Sequence, residues 1–453
     1  MSTLLLKHIH TLITHDAQRR EIHDGALFVR DGVIEAVGTL ADMPQGEATT
    51  ADEVFSLPQH IIMPGLVNTH HHMYQSLTRC IAQDLELFGW LKSLYPIWAN
   101  LRSNHVHVSA KLAMAELILS GCTTSSDHLY IYPNDVRLED EITAAAEIGM
   151  RFHAARGAMS VEAKAKAACP LTAWSRTNPP SSRIMQRVVE TFHDAKRHAM
   201  LRVVIAPCSP FSVSRDLMRE AAVLARHYGV HLHTHLAEND NDISYGLQVF
   251  KQRPGEYAED VGWVGHDVWH AHCVKLDDSE IALFGKTGTG VCHCPSSNMR
   301  LASGIAPLRK MLDARVKVGL GVDGSASNDA AHLLNEARQA MLLQRVNGDP
   351  AALSAREALE VATLGGAAVL GRDDIGALAV GMSADFVGFR TDTHAFAGAL
   401  HDAVAALVFC ASPQVDLSVI NGRVVVRDGV LQTLDLPMLV EQHNKLSRQL
   451  IDA

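Results

Sequence analysis

The sequence predicts an α/β protein in which a (β/α)8 barrel, the TIM-barrel fold, is joined to a small β-sandwich built from the N- and C-terminal segments. Three observations lead to this prediction. Eight short apolar runs alternate with long amphipathic stretches over roughly 300 residues in the middle of the chain. The two ends carry β-rich runs around Asp-Gly and Asn-Gly turn signals. At 453 residues, the chain is long enough for one large domain and a smaller one.

The β-sandwich is predicted from similar patterns at the two ends of the chain. Near the start, GALFVRDGVIEAVG contains two β-rich runs around Asp31-Gly32, which is a hairpin turn signal. Near the end, VINGRVVVRDGVLQTL repeats this pattern around Asn421-Gly422 and Asp428-Gly429. The predicted units are a composite β-sandwich of residues 1–60 and 374–435, a barrel of residues 61–373, and a C-terminal helix of residues 436–453.

Each of the eight central runs is predicted to be a barrel strand that is followed by a helix. The runs are HIIMPGLVNTH, GCTTSSD, GMRFHAARG, LRVVIAP, GVHLHTH, DVWHAH, GTGVCHC and KVGLGVD. The predicted helices include residues 214–229 and residues 329–348. Several runs end in His, Asp or Pro-Cys, and the active site of such a barrel lies at the carboxyl ends of its strands. We therefore expect the active site at these endings.

Composition and charge exclude several classes of function. A net charge of −10 with no Lys/Arg run argues against a nucleic-acid partner. No apolar run approaches the ~18–20 residues that span a bilayer, and the N-terminus lacks the basic region and cleavage site of a signal peptide. The eight cysteines have no disulfide-framework spacing, which is typical of reduced thiols. We therefore expect a cytoplasmic homo-oligomer with no membrane or nucleic-acid partner.

Four side chains at the ends of three runs are candidate metal ligands. His70 and His72 end the first run, and residues i and i+2 of an extended segment point to one face, so both can bind one ion while His71 points away. His235 ends the fifth run and Asp323 the eighth. Three imidazoles and a carboxylate suit zinc or iron better than magnesium or calcium. These four residues therefore predict a bound Zn²⁺, with Fe²⁺ as the alternative.

Other histidines among the 26 are interpreted as packed or solvated side chains, because most single histidines are. This group comprises His8, His10, His105, His107, His231 and His233.

Four motifs, in this order, resemble the signatures of the amidohydrolase superfamily: PGLVNTHHH, HTHLAE, AHCVKL and GVDGSASND. They are most similar to the branch that holds chlorohydrolases, guanine deaminase and related aminohydrolases, and the resemblance covers nearly the whole chain. Residues 70–101, with TTSSDHLY and APCSPFSVS, look most like the 8-oxoguanine deaminases, with hydroxyatrazine ethylaminohydrolases as close neighbours. Binuclear members carry a carboxylated lysine at the end of the fourth strand. Here that strand ends LRVVIAPCS, so the resemblance implies one Zn²⁺ per chain.

The resemblance also implies roles for residues near the metal. A bound Zn²⁺ lowers the pKa of its water from 15.7 to about 7, which yields hydroxide at working pH. Asp323 would accept the proton of that water. Glu238, three residues after His235, would protonate the ring nitrogen and then the departing ammonia. His272 ends the sixth run and could by geometry be a fifth ligand, whereas the resemblance implies a hydrogen bond near the attacking hydroxide.

Three residues after the metal pair are candidates for substrate binding. Gln75 carries an amide that can both donate and accept, as the edge of a purine requires. Tyr95 and Trp98 could line the pocket or pack against the barrel rim. The predicted reaction converts 8-oxoguanine to urate plus ammonia. The alternatives are a hydroxyatrazine-type triazine aminohydrolase and a non-catalytic scaffold of the same fold.

Residues 162–183, EAKAKAACPLTAWSRTNPPSSR, differ in pattern from the rest of the chain. The similar proteins carry a Gly-Leu-Pro-Pro-Asp loop here. One permitted codon choice for Ala167 to Ser181, read one base earlier, encodes Gly-Gly-Leu-Pro-Pro-Asp-Ser-Leu-Val-Ala-Asn-Glu-Pro-Ala-Ile. We therefore hypothesise a compensated pair of single-base frame errors around this segment. Resequencing the gene tests it, and codons whose neighbouring frame does not encode that loop would refute it.

Overall fold

The computed structural model describes residues 2–46, 50–160, 181–410 and 413–453. Within these ranges the chain forms 19 strands and 15 α-helices, with short 3-10 and π turns between them. The hypothesis of a displaced reading frame concerns a segment that lies, for all but its last three residues, outside the described residues.

The strands, in chain order, are β1 (Thr3–Ile13), β2 (Glu21–Arg30), β3 (Val33–Thr39), β4 (Glu53–Ser56), β5 (His60–Pro64), β6 (Leu66–Asn68), β7 (His71–His72), β8 (Cys122–Leu129), β9 (Arg151–Ala158), β10 (Leu201–Pro207), β11 (Leu232–Leu236), β12 (Val268–His272), β13 (Gly290–His293), β14 (Lys317–Leu320), β15 (Asp323–Gly324), β16 (Phe386–Arg390), β17 (Leu417–Ile420), β18 (Arg423–Arg427) and β19 (Val430–Leu431).

The α-helices are α1 (Leu87–Trp98), α2 (Ser103–Leu119), α3 (Glu139–Ile148), α4 (Ser181–Phe192), α5 (Arg215–Tyr228), α6 (Asp240–Tyr245), α7 (Pro254–Asp260), α8 (Asp278–Thr287), α9 (Pro295–Arg300), α10 (Leu308–Asp313), α11 (Leu333–Arg345), α12 (Ala355–Glu360), α13 (Gly366–Val369), α14 (Ala403–Phe409) and α15 (Leu436–Ile451). None of the described helices has the length and hydrophobicity that a bilayer crossing requires.

Eight parallel strands close into a barrel in the order β6, β8, β9, β10, β11, β12, β13, β14. The closure joins β14 to β6, where Leu320 pairs with Asn68. Helices cover the outer face, so the strands are buried on both sides, and all five residues of β12 are buried. Each of the eight predicted runs overlaps one of these strands, which confirms the predicted barrel.

The first predicted run divides into two strands at Gly65. β5 pairs with β1 and β16 outside the barrel, whereas β6 is a barrel strand. A Cβ atom on Gly65 would lie only 2.0 Å from Thr123 Oγ1, so glycine is needed where the chain passes the next barrel strand. The terminal sheet is therefore connected directly to the strand that leads to His70 and His72.

The two helices predicted from amphipathic patterns are confirmed as α5 and α11. Ser214 caps α5 by accepting a hydrogen bond from the Leu217 backbone N–H, and the helix ends at Gly229 with φ 65°. His332 caps α11 in the same way through the Asn335 backbone N–H. Local capping chemistry therefore sets both helix starts.

Strands from both ends of the chain form one mixed sheet, in the order β19, β18, β17, β16, β5, β1, β2, β3, with β4 beside β1. The three predicted turns, Asp31-Gly32, Asn421-Gly422 and Asp428-Gly429, each link adjacent strands of this sheet. In each turn both residues have positive φ, the geometry of the two-residue type I′ turn that Asp-Gly and Asn-Gly favour. The composite β-structure predicted from the two ends is therefore confirmed.

A buried ion pair joins this sheet to the barrel. The Arg151 guanidinium at the start of β9 donates to both oxygens of Asp385, over 2.6 and 2.9 Å. It also donates to the backbone carbonyls of His198 and Ala199, each over 2.8 Å. Asp385 in turn accepts from the Asn421 backbone N–H over 2.7 Å. A fifth hydrogen bond, to Asn421 Oδ1 over 3.3 Å, gives every N–H group of the guanidinium an acceptor, and Asp385 supplies two of these acceptors.

We expect Asp385→Ala to destabilise the protein by about 3–5 kcal/mol, because it leaves the Arg151 charge buried and unpaired. The measurement is the midpoint of urea unfolding. The matched control is Asp392→Ala, which breaks the solvent-exposed pair of Asp392 with Arg390 and should cost only about 0–1 kcal/mol. Equal losses in the two variants would contradict the anchoring role.

The C-terminal helix α15 packs against α2 and against the helical turn Met73–Thr78 that follows the metal pair. The Ser447 hydroxyl donates to the Leu77 carbonyl over 2.6 Å, and His443 Nε2 lies 3.0 Å from Ser76 Oγ. The end of the chain therefore supports the segment that carries Gln75.

Candidate active site and metal centre

The four predicted metal ligands meet at the carboxyl end of the barrel. His72 Nε2 lies 3.0 Å from His235 Nε2, and Asp323 Oδ1 lies 3.2 Å from His70 Nε2 and 3.4 Å from His72 Nε2. The two-residue strands β7 and β15 pair in parallel, with Asp323 opposite His71. This short ladder brings the first and last barrel segments into register and so places the carboxylate beside the imidazoles.

Backbone carbonyls orient two of these imidazoles. His72 Nδ1 lies 2.7 Å from the His128 carbonyl, and His235 Nδ1 lies 2.6 Å from the Cys208 carbonyl. A carbonyl can only accept, so each Nδ1 carries the proton and each Nε2 keeps a lone pair directed at the centre of the cluster.

The third imidazole is oriented through another histidine. His70 Nδ1 lies 2.8 Å from His233 Nε2, and His233 Nδ1 lies 3.1 Å from the Trp269 carbonyl. The carbonyl fixes a proton on His233 Nδ1, so His233 Nε2 accepts from His70 Nδ1–H. His70 Nε2 is then also left with a lone pair. His233 was expected to be a packed side chain, and it is one, but its partner is a ligand candidate.

Two hydroxyl groups hold Asp323. Ser297 Oγ and Ser327 Oγ donate to Asp323 Oδ2 over 2.6 and 3.2 Å, which leaves Oδ1 facing the histidines. Burial opposes ionisation of Asp323, but its contact with the His70 imidazole and the charge of His272 hold its pKa well below the usual range. The site therefore presents an ionised carboxylate beside neutral imidazoles.

The donor set fits a divalent metal ion. His70 Nε2 is buried and has no hydrogen-bond partner among the described residues, which is the state expected of a nitrogen that binds a metal. Burial lowers the pKa of His70, His72 and His235, the last to about 3, so all three are neutral and can ligate. His70, His72, His235 and Asp323 would hold the ion, and three nitrogens with one carboxylate suit zinc.

His128 also belongs to this histidine cluster, and the sequence interpretation did not include it. Its ring contributes an atom within 4.8 Å of those of His70, His72 and His235. His128 Nε2 lies 2.7 Å from the Ala206 carbonyl, so this nitrogen donates to the backbone. The available signal was its position directly after the predicted run GCTTSSD, within the motif TTSSDHLY.

Glu238 and His272 face each other at the edge of the cluster. His272 Nε2 lies 3.6 Å from Glu238 Oε2 and 4.0 Å from Asp323 Oδ2, and its Nδ1 lies 2.9 Å from Asn298 Oδ1. Burial lowers the pKa of His272, but the charges of Glu238 and Asp323 outweigh it and raise the pKa above the usual value. His272 therefore directs an N–H group at the space between the two carboxyl groups.

Glu238 is a carboxyl group poised for proton transfer. Its side chain is buried, and burial raises its pKa to about 7. Its backbone N–H is held by Asp242 Oδ2 over 2.7 Å, and the Ser303 hydroxyl lies 3.5 Å from Oε1. A carboxyl group with a pKa near neutrality can deliver a proton at working pH.

A cavity of about 460 Å³ opens above the cluster. Gln75 and Tyr95, two of the predicted substrate-binding residues, line it. Trp98 lies behind this wall, where its indole Nε1 donates to Thr78 Oγ1 over 3.0 Å. Further apolar walls, which the sequence interpretation did not identify, come from Leu87, Trp90, Leu91, Tyr130, Phe211 and Leu301.

The amide of Gln75 is fixed through its nitrogen, and its oxygen accepts no hydrogen bond from the described residues. Gln75 Nε2 donates to the Tyr74 hydroxyl over 3.4 Å, whereas Oε1 is buried without a partner. A Cβ atom on Gly324 would lie 1.8 Å from this oxygen, so the glycine after Asp323 is required for the amide to pack here. Gln75 therefore lines the cavity with an amide whose oxygen packs against Gly324 and has no hydrogen-bond donor among the described residues.

Comparison with known proteins agrees with this architecture. Residues 61–425 match the Amidohydrolase family. The chain is 42% identical to the 8-oxoguanine deaminase of Pseudomonas aeruginosa, over 94% of this chain and 95% of that protein. It is 36% identical to the hydroxydechloroatrazine ethylaminohydrolase of Pseudomonas sp. (strain ADP), over 100% of this chain and 96% of that protein.

A solved structure extends the comparison to the metal. The atrazine chlorohydrolase of Arthrobacter aurescens complexed with zinc superposes with a TM-score of 0.92 and 30% identity, over 98% of this chain and 100% of that one. That zinc complex and the buried donor cluster together support a divalent metal in this chain. The family matches most of the chain, and relatives above 30% identity cover nearly all of the chain. The chain therefore belongs to the amidohydrolase family.

Proposed function

We propose that this chain hydrolyses 8-oxoguanine to urate and ammonia with one Zn²⁺ per chain. At the coarser level, the chain is an amidohydrolase-type hydrolase that acts on aminated heterocycles. The observation that carries the choice of substrate is the 42% identity to an 8-oxoguanine deaminase over nearly the full length of both proteins. Gln75 supports it, because this residue lines the cavity and its amide can both donate and accept, as the edge of an oxidised purine requires.

When bound, the metal supplies Lewis-acid activation of a water molecule. Asp323 Oδ1 faces the histidines and is positioned to take a proton from that water. Glu238 gives its proton to the ring nitrogen, regains a proton from the hydroxyl group that has added to the carbon, and passes it to the departing amine. The proton that Asp323 took from the water then returns to Glu238, while the N–H of His272 stabilises negative charge between the two carboxyl groups. The bond from the ring carbon to the exocyclic nitrogen breaks, and a bond from that carbon to oxygen forms.

The apolar walls select a flat ring. Trp90, Tyr95, Tyr130 and Phe211 can pack against its faces, and burying such a ring is favourable.

Fe²⁺ is the alternative to Zn²⁺ at this site, because the same ligands suit both metals.

A triazine aminohydrolase is the second candidate, and a specific observation favours it. The chain is 36% identical to a hydroxydechloroatrazine ethylaminohydrolase over its full length. The same acid–base groups would serve that reaction. A non-catalytic scaffold is disfavoured, because the four predicted ligands and Glu238 meet in one buried site.

Purified protein tests this proposal through ammonia release from a panel of rings. We expect about one zinc per chain and the highest kcat/KM with 8-oxoguanine, followed by guanine. Exhaustive chelation should abolish turnover, and added Zn²⁺ should restore it, since the activated water is lost with the metal. Faster turnover of adenosine or of a melamine-type triazine would overturn the substrate, and two metals per active chain would overturn the single-ion site.

A further inference from the structure

A pair of carboxyl groups is buried next to the active site and has no part in the mechanism above. Asp127 lies in β8, and Glu141 lies in the first turn of α3. Both side chains are 0% exposed, and they lie within hydrogen-bonding reach of each other. Two ionised carboxylates in this position would repel each other without solvent to screen them.

Three of the four oxygens of this pair have no hydrogen-bond donor among the described residues. Asp127 Oδ2 and both oxygens of Glu141 are buried and have no hydrogen-bond partner. The charge of Asp140 also disfavours ionisation of Glu141. The nearby Tyr132 hydroxyl donates to the Leu129 carbonyl over 2.8 Å, and Arg156 stacks on the Tyr132 ring, 3.5 Å from its centroid. A buried carboxyl oxygen without a partner is costly, so one more proton or cation is needed here.

The remaining oxygen of the pair holds the segment that follows the metal ligands. Asp127 Oδ1 accepts from the Met73 backbone N–H over 2.7 Å. Met73 directly follows His72 and begins the buried turn that presents Gln75 to the cavity. Any rotation of the Asp127 carboxylate would therefore move this turn.

We propose that Glu141 is a positioning residue: it keeps one proton, donates it to Asp127, and thereby fixes the carboxylate that anchors Met73 between the metal ligands and Gln75. The proton resides on Glu141 because Asp127 already accepts a backbone N–H, which favours its ionised form. The pair then carries one negative charge, and a hydrogen bond runs from the Glu141 carboxyl group to the Asp127 carboxylate. This goes beyond the proposed function and depends on it only through the activity assay.

Amide substitutions distinguish between two explanations of this pair, a shared proton and a bound cation. Glu141→Gln keeps a donor to Asp127, and Asp127→Asn keeps the acceptor for Met73 while its own N–H donates to Glu141. If one proton is shared, each single variant should retain metal, stability and kcat/KM within about threefold of wild type, because each preserves one charge and one hydrogen bond. Glu141→Met fills similar space without a donor, so kcat/KM should fall about tenfold.

The measurements are kcat/KM, zinc content after dialysis and the urea midpoint, with Glu147→Gln on the exposed end of α3 as the control. If a cation lay between two ionised carboxylates instead, elemental analysis would find a second ion, and either amide variant would lose kcat/KM and stability. That result would overturn the shared proton. Full activity in Glu141→Met would overturn the positioning role. If Glu141→Met does not fold, the two amide variants still distinguish a shared proton from a bound cation. The metal content of the variants shows whether a negative result concerns this carboxyl pair or the proposed reaction.

Discussion

Glu238→Gln is expected to lower kcat by at least ~10²-fold while the protein keeps its metal, as removal of a positioned acid–base group predicts. Glutamine has the same shape and still accepts from Ser303, so the site should keep its geometry. It cannot hold or release the proton that the buried Glu238 carboxyl holds near neutral pH. The measurement is steady-state turnover together with zinc content.

The matched control for this variant is Glu259→Gln, which removes an exposed carboxylate from the end of α7 and should leave turnover unchanged. Near-normal turnover in Glu238→Gln would mean that another group carries the proton. His272, 3.6 Å away, would then be the group to examine.

Asp323→Asn is expected to lower turnover by at least ~10³-fold, the equivalent of several kcal/mol of lost charge stabilisation. Asp323 supplies the one charge among the four ligands and stands 3.2 Å from His70 Nε2. Its backbone has φ 59°, which asparagine tolerates better than alanine, so the amide tests the charge without straining the chain. Turnover, zinc content and the urea midpoint are measured together.

Ser297→Ala provides a graded comparison for this residue. Loss of its 2.6 Å hydrogen bond should leave the charge but loosen the carboxylate, at a cost of roughly 10–100-fold in metal affinity or activity. Substantial activity in Asp323→Asn, or a larger loss in Ser297→Ala, would show that the carboxylate charge is not essential.

Much of the fold follows from local patterns. Hairpin turns such as Asp31-Gly32 depend on two residue types that adopt positive φ more easily than others. Helices such as α5 depend on their own capping residues, so both kinds of element could be predicted. The division of the first run at Gly65 could not, because its cause is the side chain of Thr123, nearly sixty positions away.

The metal ligands were predictable for a related reason. His70 and His72 share one face of an extended segment, and parallel strands bring their carboxyl ends together, so His235 and Asp323 could be assigned to the same place. The meeting of these candidate ligands therefore follows from the residue types at a few strand ends.

Tertiary structure alone decided how those ligands are held and what surrounds them. The acceptors at Cys208 and Trp269, the hydroxyl of Ser297 and the carboxyl of Glu141 reach the site from other strands and helices. Their hydrogen bonds depend on distances of a few tenths of an ångström, which packing sets and no local pattern encodes. The sequence by itself determined the barrel, its composite sheet and which four candidate ligands come together. Only the packed structure decided the tautomers and orientation of these side chains and the walls of the pocket.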